Sequence, residues 1–397
     1  MEICKTEKCT GCFACKEICP VNAIEVGQDK YGKTFPKVQD DKCVECGLCK
    51  NVCHMKKTQE ARVPQRCYAA WTKTSEDAEN CASGGIATGL GRYMIAKNGV
   101  VFGAGYTGEN QLECRITKAE TEEELEKFKT SKYVQVDAAH SYREAKEQLD
   151  RGREVLYIGT PCQVAGLQGF LRRKYENLTT VDLVCHGVPP EKYLKEYAKS
   201  VCSGKWIERA TFRGTYDYDM CFYEAGSEEP CYRQANYLDL YFQSFLKALI
   251  YRDNCYECKY ARKERISDIT IGDFWGLDRT TLIEPYEGKI SEILVNTSKG
   301  QEVISRCKHL FHLEERELEE AISGNAQLNA PSEKHKDYNI FRERYPKDGF
   351  VKAVKATGIR KNIQRHKLAN SFLGRVFRKL RRVVRKGNIP VIMRLTK

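Results

Sequence analysis

Residues 9–20 read CTGCFACKEICP, and residues 43–54 read CVECGLCKNVCH. In each stretch four cysteines are separated by two, two and three residues, at Cys9, Cys12, Cys15 and Cys19 and again at Cys43, Cys46, Cys49 and Cys53. Three thiolates held that close grip three irons of one [4Fe-4S] cube, and in a paired run the fourth cysteine reaches across to the other cube. The expected ligand sets are therefore Cys9, Cys12, Cys15 and Cys53 for one cluster, and Cys43, Cys46, Cys49 and Cys19 for the second. Paired zinc ribbons also use closely spaced cysteines, but zinc has no use for eight of them in this order. Pro20 closes the first run, whereas His54 stands where the second would carry proline. Proline there shapes a turn and binds no metal, so the change bears on local geometry. Cys4 falls outside the pattern and reads as a spare thiol.

Outward from these runs, a chain of 397 residues has room for two or three domains. Its 20 cysteines follow an opening with no apolar secretory stretch, so a reducing, cytoplasmic setting is expected, in which clustered thiols serve metal and not disulfides. No run of about 18 apolar residues is present, and no membrane-spanning helix is expected. The net charge of +12 is unevenly placed. Residues 350–397 hold 15 Lys or Arg and no Asp or Glu, which leaves 12 − 15 = −3 for residues 1–349. The body therefore offers no basic stripe for nucleic acid, and no nucleic-acid partner is expected.

The chain divides into an α+β, ferredoxin-like module at residues 1–58, an α/β body with a mixed sheet in two parts, 67–150 and 151–330, and a basic helical tail at 331–397. In the body, a strand at 154–158 ends in Gly159-Thr160-Pro161-Cys162 before a helix at 163–175. A second such unit has a strand at 179–184, the loop 185–190 carrying Cys185 and His186, and a helix at 191–200. Loops at strand carboxyl ends are where α/β proteins hold ligands. Further strands are expected at 207–213, 220–224 and 266–274, and helices at 84–96, 122–129 and 237–249. Gly103, Gly105 and Gly108 have the spacing of a dinucleotide fingerprint, but 111–117 reads as a strand and not the required helix, so a glycine-rich hairpin is expected.

Five ordered stretches carry a wider likeness: 83–88 (SGGIAT), 131–135 (SKYVQ), 159–163 (GTPCQ), 185–189 (CHGVP) and 268–276 (DITIGDFWG). Over about residues 9–277 the chain resembles the beta-subunit family of coenzyme F420 hydrogenase and dehydrogenase. The resemblance implies an oxidoreductase with a flavin-binding body and a bound FAD. Ser83, Gly84, Gly85 and Thr88, opening a helix, would present backbone N–H groups to a phosphate; the alternative is that Ser83 caps the helix. Thr160, Gln163 and Lys132 are the other flavin candidates. Some family members hold a further [4Fe-4S] cluster, for which Cys162, Cys185, Cys255 and Cys258 are the candidate ligands. Cys255 and Cys258 would otherwise be a redox pair and Cys162 a thiol of the flavin pocket. No catalytic residue is assigned, since His186 and Asp273 each suit a structural role as well as proton handling. The expected function is electron passage between the clusters and FAD, with coenzyme F420 or another small redox molecule as substrate. The alternative is an electron-transfer subunit serving a partner enzyme, for instance in surface-polysaccharide metabolism. Either way the partner is a redox protein or a small redox carrier.

In the tail, Leu368, Phe372, Leu373, Val376, Phe377, Leu380, Val383 and Val384 recur every three or four positions, and Arg375, Arg378, Lys379, Arg381, Arg382 and Arg385 fill the gaps. That pattern is an amphipathic cationic helix, suited to peripheral contact with an anionic membrane or to an acidic partner. A terminal helix packed on its own domain would show the same pattern.

Overall fold

Both cysteine runs fold by one local device. The residues two and four places after the first cysteine of each run are left-handed: Gly11 and Phe13 (φ 68° and 58°), then Glu45 and Gly47 (φ 50° and 73°). These turns curl the chain around the space between the thiols and deliver it into short helices, Ala14–Glu17 and Leu48–Val52. Between the runs, β1 (Ile24–Gln28) and β2 (Thr34–Val38) form an antiparallel hairpin that pairs Ile24 with Val38. The computed structural model describes residues 2–370 apart from 58, 214, 215 and 217.

The remaining strands are β3 (Arg66–Thr72), β4 (Val100–Tyr106), β5 (Cys114–Ala119), β6 (Val155–Gly159), β7 (Leu178–Leu183), β8 (Ile207–Thr211), β9 (Asp219–Glu224), β10 (Tyr232–Ala235), β11 (Ile269–Asp273), β12 (Ser291–Val295) and β13 (Phe311–Arg316). Eight of them form one sheet in the order β13-β3-β12-β11-β7-β6-β4-β5. The centre, β11-β7-β6-β4, is parallel, and both flanks are antiparallel. The sheet is mixed, as expected. Val155, Leu156 and Tyr157 of β6 are all buried, the continuous apolar run of a parallel strand covered on both faces. The glycine-rich segment is a strand pair and turn, with Gly103 and Gly105 inside β4 and Gly108 at φ 74°. β8, β9 and β10 make a separate antiparallel sheet.

Several expected boundaries shift for physical reasons. The helix after β6 runs Pro161–Leu171, with Pro161 at its first position, where a missing N–H costs nothing. It ends before 175 because Arg172 turns left-handed at φ 61°. The helix expected at 237–249 is confined to Leu240–Leu246, and Ala248 is left-handed at φ 50°. The tail is also divided differently. Tyr338, Phe341, Tyr345, Phe350, Val354 and Ile359 are buried in one cluster with Tyr193, Tyr197, Phe222 and Tyr241, so the helices Tyr338–Lys355 and Gly358–Asn370 complete the body core. The amphipathic stretch from Phe372 to Arg385 lies outside the described residues. Among those described, no helix is long and apolar enough to cross a membrane.

Helix Pro161–Leu171 seats the N-terminal module through two glycines. A Cβ on Gly166 would stand 3.1 Å from Cβ of Cys12, and one on Gly169 would run into the carbonyl of Val52, next to Cys53. The close approach has no slack at the backbone. Gly169→Ala is therefore expected to cost about 1–3 kcal/mol and to loosen the module, read as a lower melting temperature of the cluster-loaded protein and faster proteolysis between the module and β3, at residues 59–65. An unchanged melting temperature and cleavage rate would contradict this account of the packing.

Candidate functional site

The field at Cys15 arises from Cys12, Cys9, Cys53 and Cys49, and that at Cys49 from Cys46, Cys43 and Cys19. The last cysteine of each run thus stands among the first three of the other. Backbone N–H groups aim at the sulfurs, from Gly11 to Cys9 Sγ at 3.4 Å and from Ala23 to Cys19 Sγ at 3.3 Å. Cys4 is not a spare thiol at the surface. It hydrogen-bonds Cys9 and Cys53, and these bonds, opposed by burial, lower Cys9 to about 6 and Cys53 to about 7. Of the eight thiols Cys46 is exposed, while Cys9, Cys15 and Cys49 are buried.

Cys162, Cys185, Cys255 and Cys258 come from three separate segments and line one cavity together with Thr10, Asn254, Lys259 and Tyr260. Cys162 occupies the second position of the helix after β6. Cys185 follows β7, and the CxxC pair lies in the turn Asp253–Glu257 and just after it. Burial pushes all four thiols up, Cys162 to about 11 and Cys255 to about 12. As free groups they are protonated and inert, and a bound cationic centre is what would turn them into thiolates. Among the described residues no three Cys, His, Asp or Glu side chains close on a single ion; these thiols border a space instead.

The turn that carries the CxxC pair also grips the N-terminal module. His54 is fully buried, with Nδ1 2.7 Å from the Tyr260 hydroxyl and Nε2 3.1 Å from Thr10 Oγ1. Burial holds its imidazole neutral, at about 3. Lys259 Nζ donates to the carbonyls of His54 and Lys57. The residue that replaces proline is thus a pin between the module and the body.

A larger cavity of about 310 Å³ opens at the carboxyl ends of β6, β7 and β11, and shares Thr10, Thr160, Cys162, Cys185, His186, Gly187 and Val188 with the thiol-lined one. Ser83, Gly85, Thr88, Lys132, Thr160 and Gln163 line it, and Gly84 does not. Gly84 instead donates its N–H to Ser291 Oγ at 2.9 Å, with no room for a Cβ beside the carbonyl of Ala70. Ser83 is not the helix cap. Gly85 is, at φ 79°, and the Ser83 hydroxyl bonds Ile290 O and Ser291 Oγ. The Lys132 ammonium reaches the carbonyls of Lys127, Lys129 and Thr130, and burial lowers it to about 8. Gln163 spends its amide locally, with Oε1 accepting from Thr160 N–H at 2.8 Å and Nε2 donating to Val136 O at 3.1 Å. Sequence reasoning missed Arg213, buried and ion-paired to Asp273 at the cavity wall, and Asn325 beside them. No local pattern marks either. His186, Asp273 and the half-exposed Trp275 also border the cavity.

Residues 8–57 match the family model of the 4Fe-4S dicluster domain, and residues 152–321 match that of the C-terminal part of the coenzyme F420 hydrogenase/dehydrogenase beta subunit. Over residues 152–321 the body is thus similar to that beta-subunit family. Joined to a dicluster domain, it makes the chain an iron–sulfur electron-transfer oxidoreductase. Among solved structures, a chain of the xenon-derivatised F420-reducing [NiFe] hydrogenase complex from Methanosarcina barkeri is similar at 17% identity, covering 72% of this chain and 95% of that one with a TM-score of 0.43. No curated protein matches.

One buried carboxyl sits beside the cavity wall. Glu292 on β12 faces Gly272 on β11, accepts from Asn325 Nδ2 at 2.8 Å through Oε2, and has no partner at Oε1. Burial raises it from 4.5 to about 8. Because the folded value lies above the unfolded one, its contribution to stability is complete below about pH 4.5 and is lost as pH rises through 8. Glu292→Gln copies the protonated form. It should gain stability on the wild type between pH 6 and pH 9, on the order of a few kcal/mol at the alkaline end, read from the two melting-temperature profiles; parallel profiles would refute the assignment.

Proposed function

We propose that this chain is an iron–sulfur flavoprotein oxidoreductase with two ferredoxin-type [4Fe-4S] clusters, a third on Cys162, Cys185, Cys255 and Cys258, and an FAD in the large cavity, exchanging electrons with coenzyme F420 or another small redox molecule. The observation that carries this reading is the meeting of four cysteines from three separate segments in one cavity, which shares Thr10 of the Cys9–Cys12 loop with the large cavity. Soft thiolate donors in fours suit iron–sulfur cubes. FAD, when bound, supplies two-electron hydride chemistry together with one-electron exchange.

The residues around the large cavity fit a dinucleotide. Gly85, with the hydroxyls of Ser83, Thr88, Thr130 and Ser131, offers small and polar groups at the start of helix Ile86–Ile95, while Lys132 adds a cation. Arg213 and Asp273 add a charged pair to the cavity wall, where a substrate would be oriented. Cys46 is exposed, so the centre that it would help to hold is the one within reach of an external electron carrier, while the Cys9–Cys12 loop borders the large cavity of the body. The matched family is that of a beta subunit, which supports operation beside a partner chain.

Anaerobic purification with quantitation of iron, sulfide and released flavin tests the assignment. About twelve irons and one FAD per chain are expected, and Cys255→Ser should remove about four of the irons. About eight irons in both proteins would discard the third cluster, and absence of flavin after reconstitution would leave a bare electron-transfer subunit.

A further inference from the structure

Arg252 is the largest of the fully buried side chains, 1% exposed. Its guanidinium donates to Cys9 O at 3.1 Å and Thr34 O at 3.0 Å through Nη2, to Thr34 Oγ1 at 3.4 Å and Gln135 Oε1 through Nη1, and to Asn254 Oδ1 at 3.3 Å through Nε. Every one of these acceptors is neutral. The nearby carboxylate of Asp253 is taken by Lys33, Arg342 and the Tyr338 hydroxyl. Among the described residues no carboxylate forms an ion pair with Arg252. A cation taken out of water in this way is destabilised unless opposite charge is supplied.

The position of Arg252 indicates where that charge comes from. A Cβ on Gly11, between Cys9 and Cys12, would stand 2.9 Å from Nη2, so the guanidinium lies against the first cysteine loop. Its own backbone ties the other two loops, with Arg252 N–H donating to Val188 O at 3.0 Å and Arg252 O accepting from Cys255 N–H at 2.9 Å. Four thiolates around a cube give a net anionic centre on each side of this cation. One-electron reduction adds one negative charge and makes or breaks no bond, so a fixed positive charge stabilises the reduced form more than the oxidised one.

We infer that Arg252 is a positioning residue that serves as the shared counter-charge of the centre bound by Cys9, Cys12, Cys15 and Cys53 and of the centre bound by Cys162, Cys185, Cys255 and Cys258, and that it raises the reduction potential of both. The second half rests on the third cluster proposed above; the first half does not. Arg252 bonds the Cys9 loop and, among the described residues, none of Cys43, Cys46, Cys49 and Cys19, so the centre on those four acts as an internal reference.

The test is an EPR-monitored redox titration of the full-length, cluster-loaded protein with dithionite as reductant, alongside iron quantitation. Arg252→Gln removes the charge. Gln135→Glu keeps the guanidinium in place and neutralises it from the residue it already bonds, so it decides the matter alone if Arg252→Gln fails to hold iron. Both should make reduction of the affected centres at least about tenfold less favourable, a fall of about 59 mV for one electron, with the reference centre unmoved and Arg252→Lys closer to wild type. Full iron content with every midpoint unchanged in both variants overturns the inference. A wild type with about eight irons rejects the third cluster only, and the shift at the Cys9 centre still decides the role of Arg252.

Discussion

The buried ion pair between Arg265 and Asp182 fixes the position of the loops on which the site depends. Arg265 Nη2 lies 2.8 Å from Asp182 Oδ1, and neither side chain is more than 2% exposed. Thr270 Oγ1 donates to the same carboxylate oxygen at 2.6 Å, and Arg265 Nη1 donates to Tyr260 O at 3.0 Å. Asp182 belongs to β7, three residues before Cys185, and Arg265 follows Cys258 by seven. The pair therefore fastens the irregular CxxC segment to the rigid sheet next to the strand that delivers Cys185. Broken on one side, a pair this buried would strand a charge in the core. Its value lies in register: it decides where the CxxC thiols stand relative to those that follow β6 and β7.

The parallel centre of the sheet does the remaining work of convergence. Strands β6, β7 and β11 are neighbours and point the same way, so the loops after them emerge on one edge. Antiparallel neighbours would have sent Cys162 and Cys185 to opposite ends. The N-terminal module then closes the same edge, seated by Gly166 and Gly169 and pinned by His54.

How much of this could be read from the residues depends on how local the determining chemistry is. The eight module cysteines were legible because ligand spacing within a run is itself the constraint, and the positive-φ residues repeat at the same offsets. Cys185 was legible on its strand-end loop, whereas Cys162, expected on such a loop, stands in the first turn of the helix after β6. That Cys255 and Cys258 meet them depends on Arg252 and Arg265, and a lone arginine in an irregular stretch has no periodicity to announce it. β12 and β13 were not foreseen, since SEILV is too short an apolar run to separate strand from helix without its neighbours. Residues 338–363 read as tail because charge dominates their composition, although their aromatic residues fill the core. Ser83 suggested a cap through its chemistry, but the tight turn at Gly85 took that place.

The module is also more than an electron relay appended to a body. Thr10, Gly11 and Cys12 line the large cavity itself, next to Thr160, Gln135 and Val136. One wall of the binding cavity is thus made of the loop between the first two cysteines. The conformation of that loop is set by the left-handed turn at Gly11 and by the Arg252 guanidinium packed against it. Assembly of a centre on Cys9 and Cys12 and the shape of the cavity are in consequence one structural event, because the same few residues serve as ligand loop on one side and cavity wall on the other. Without its module the body would lose the wall that Thr10, Gly11 and Cys12 form, and the cavity would be open to water on that face.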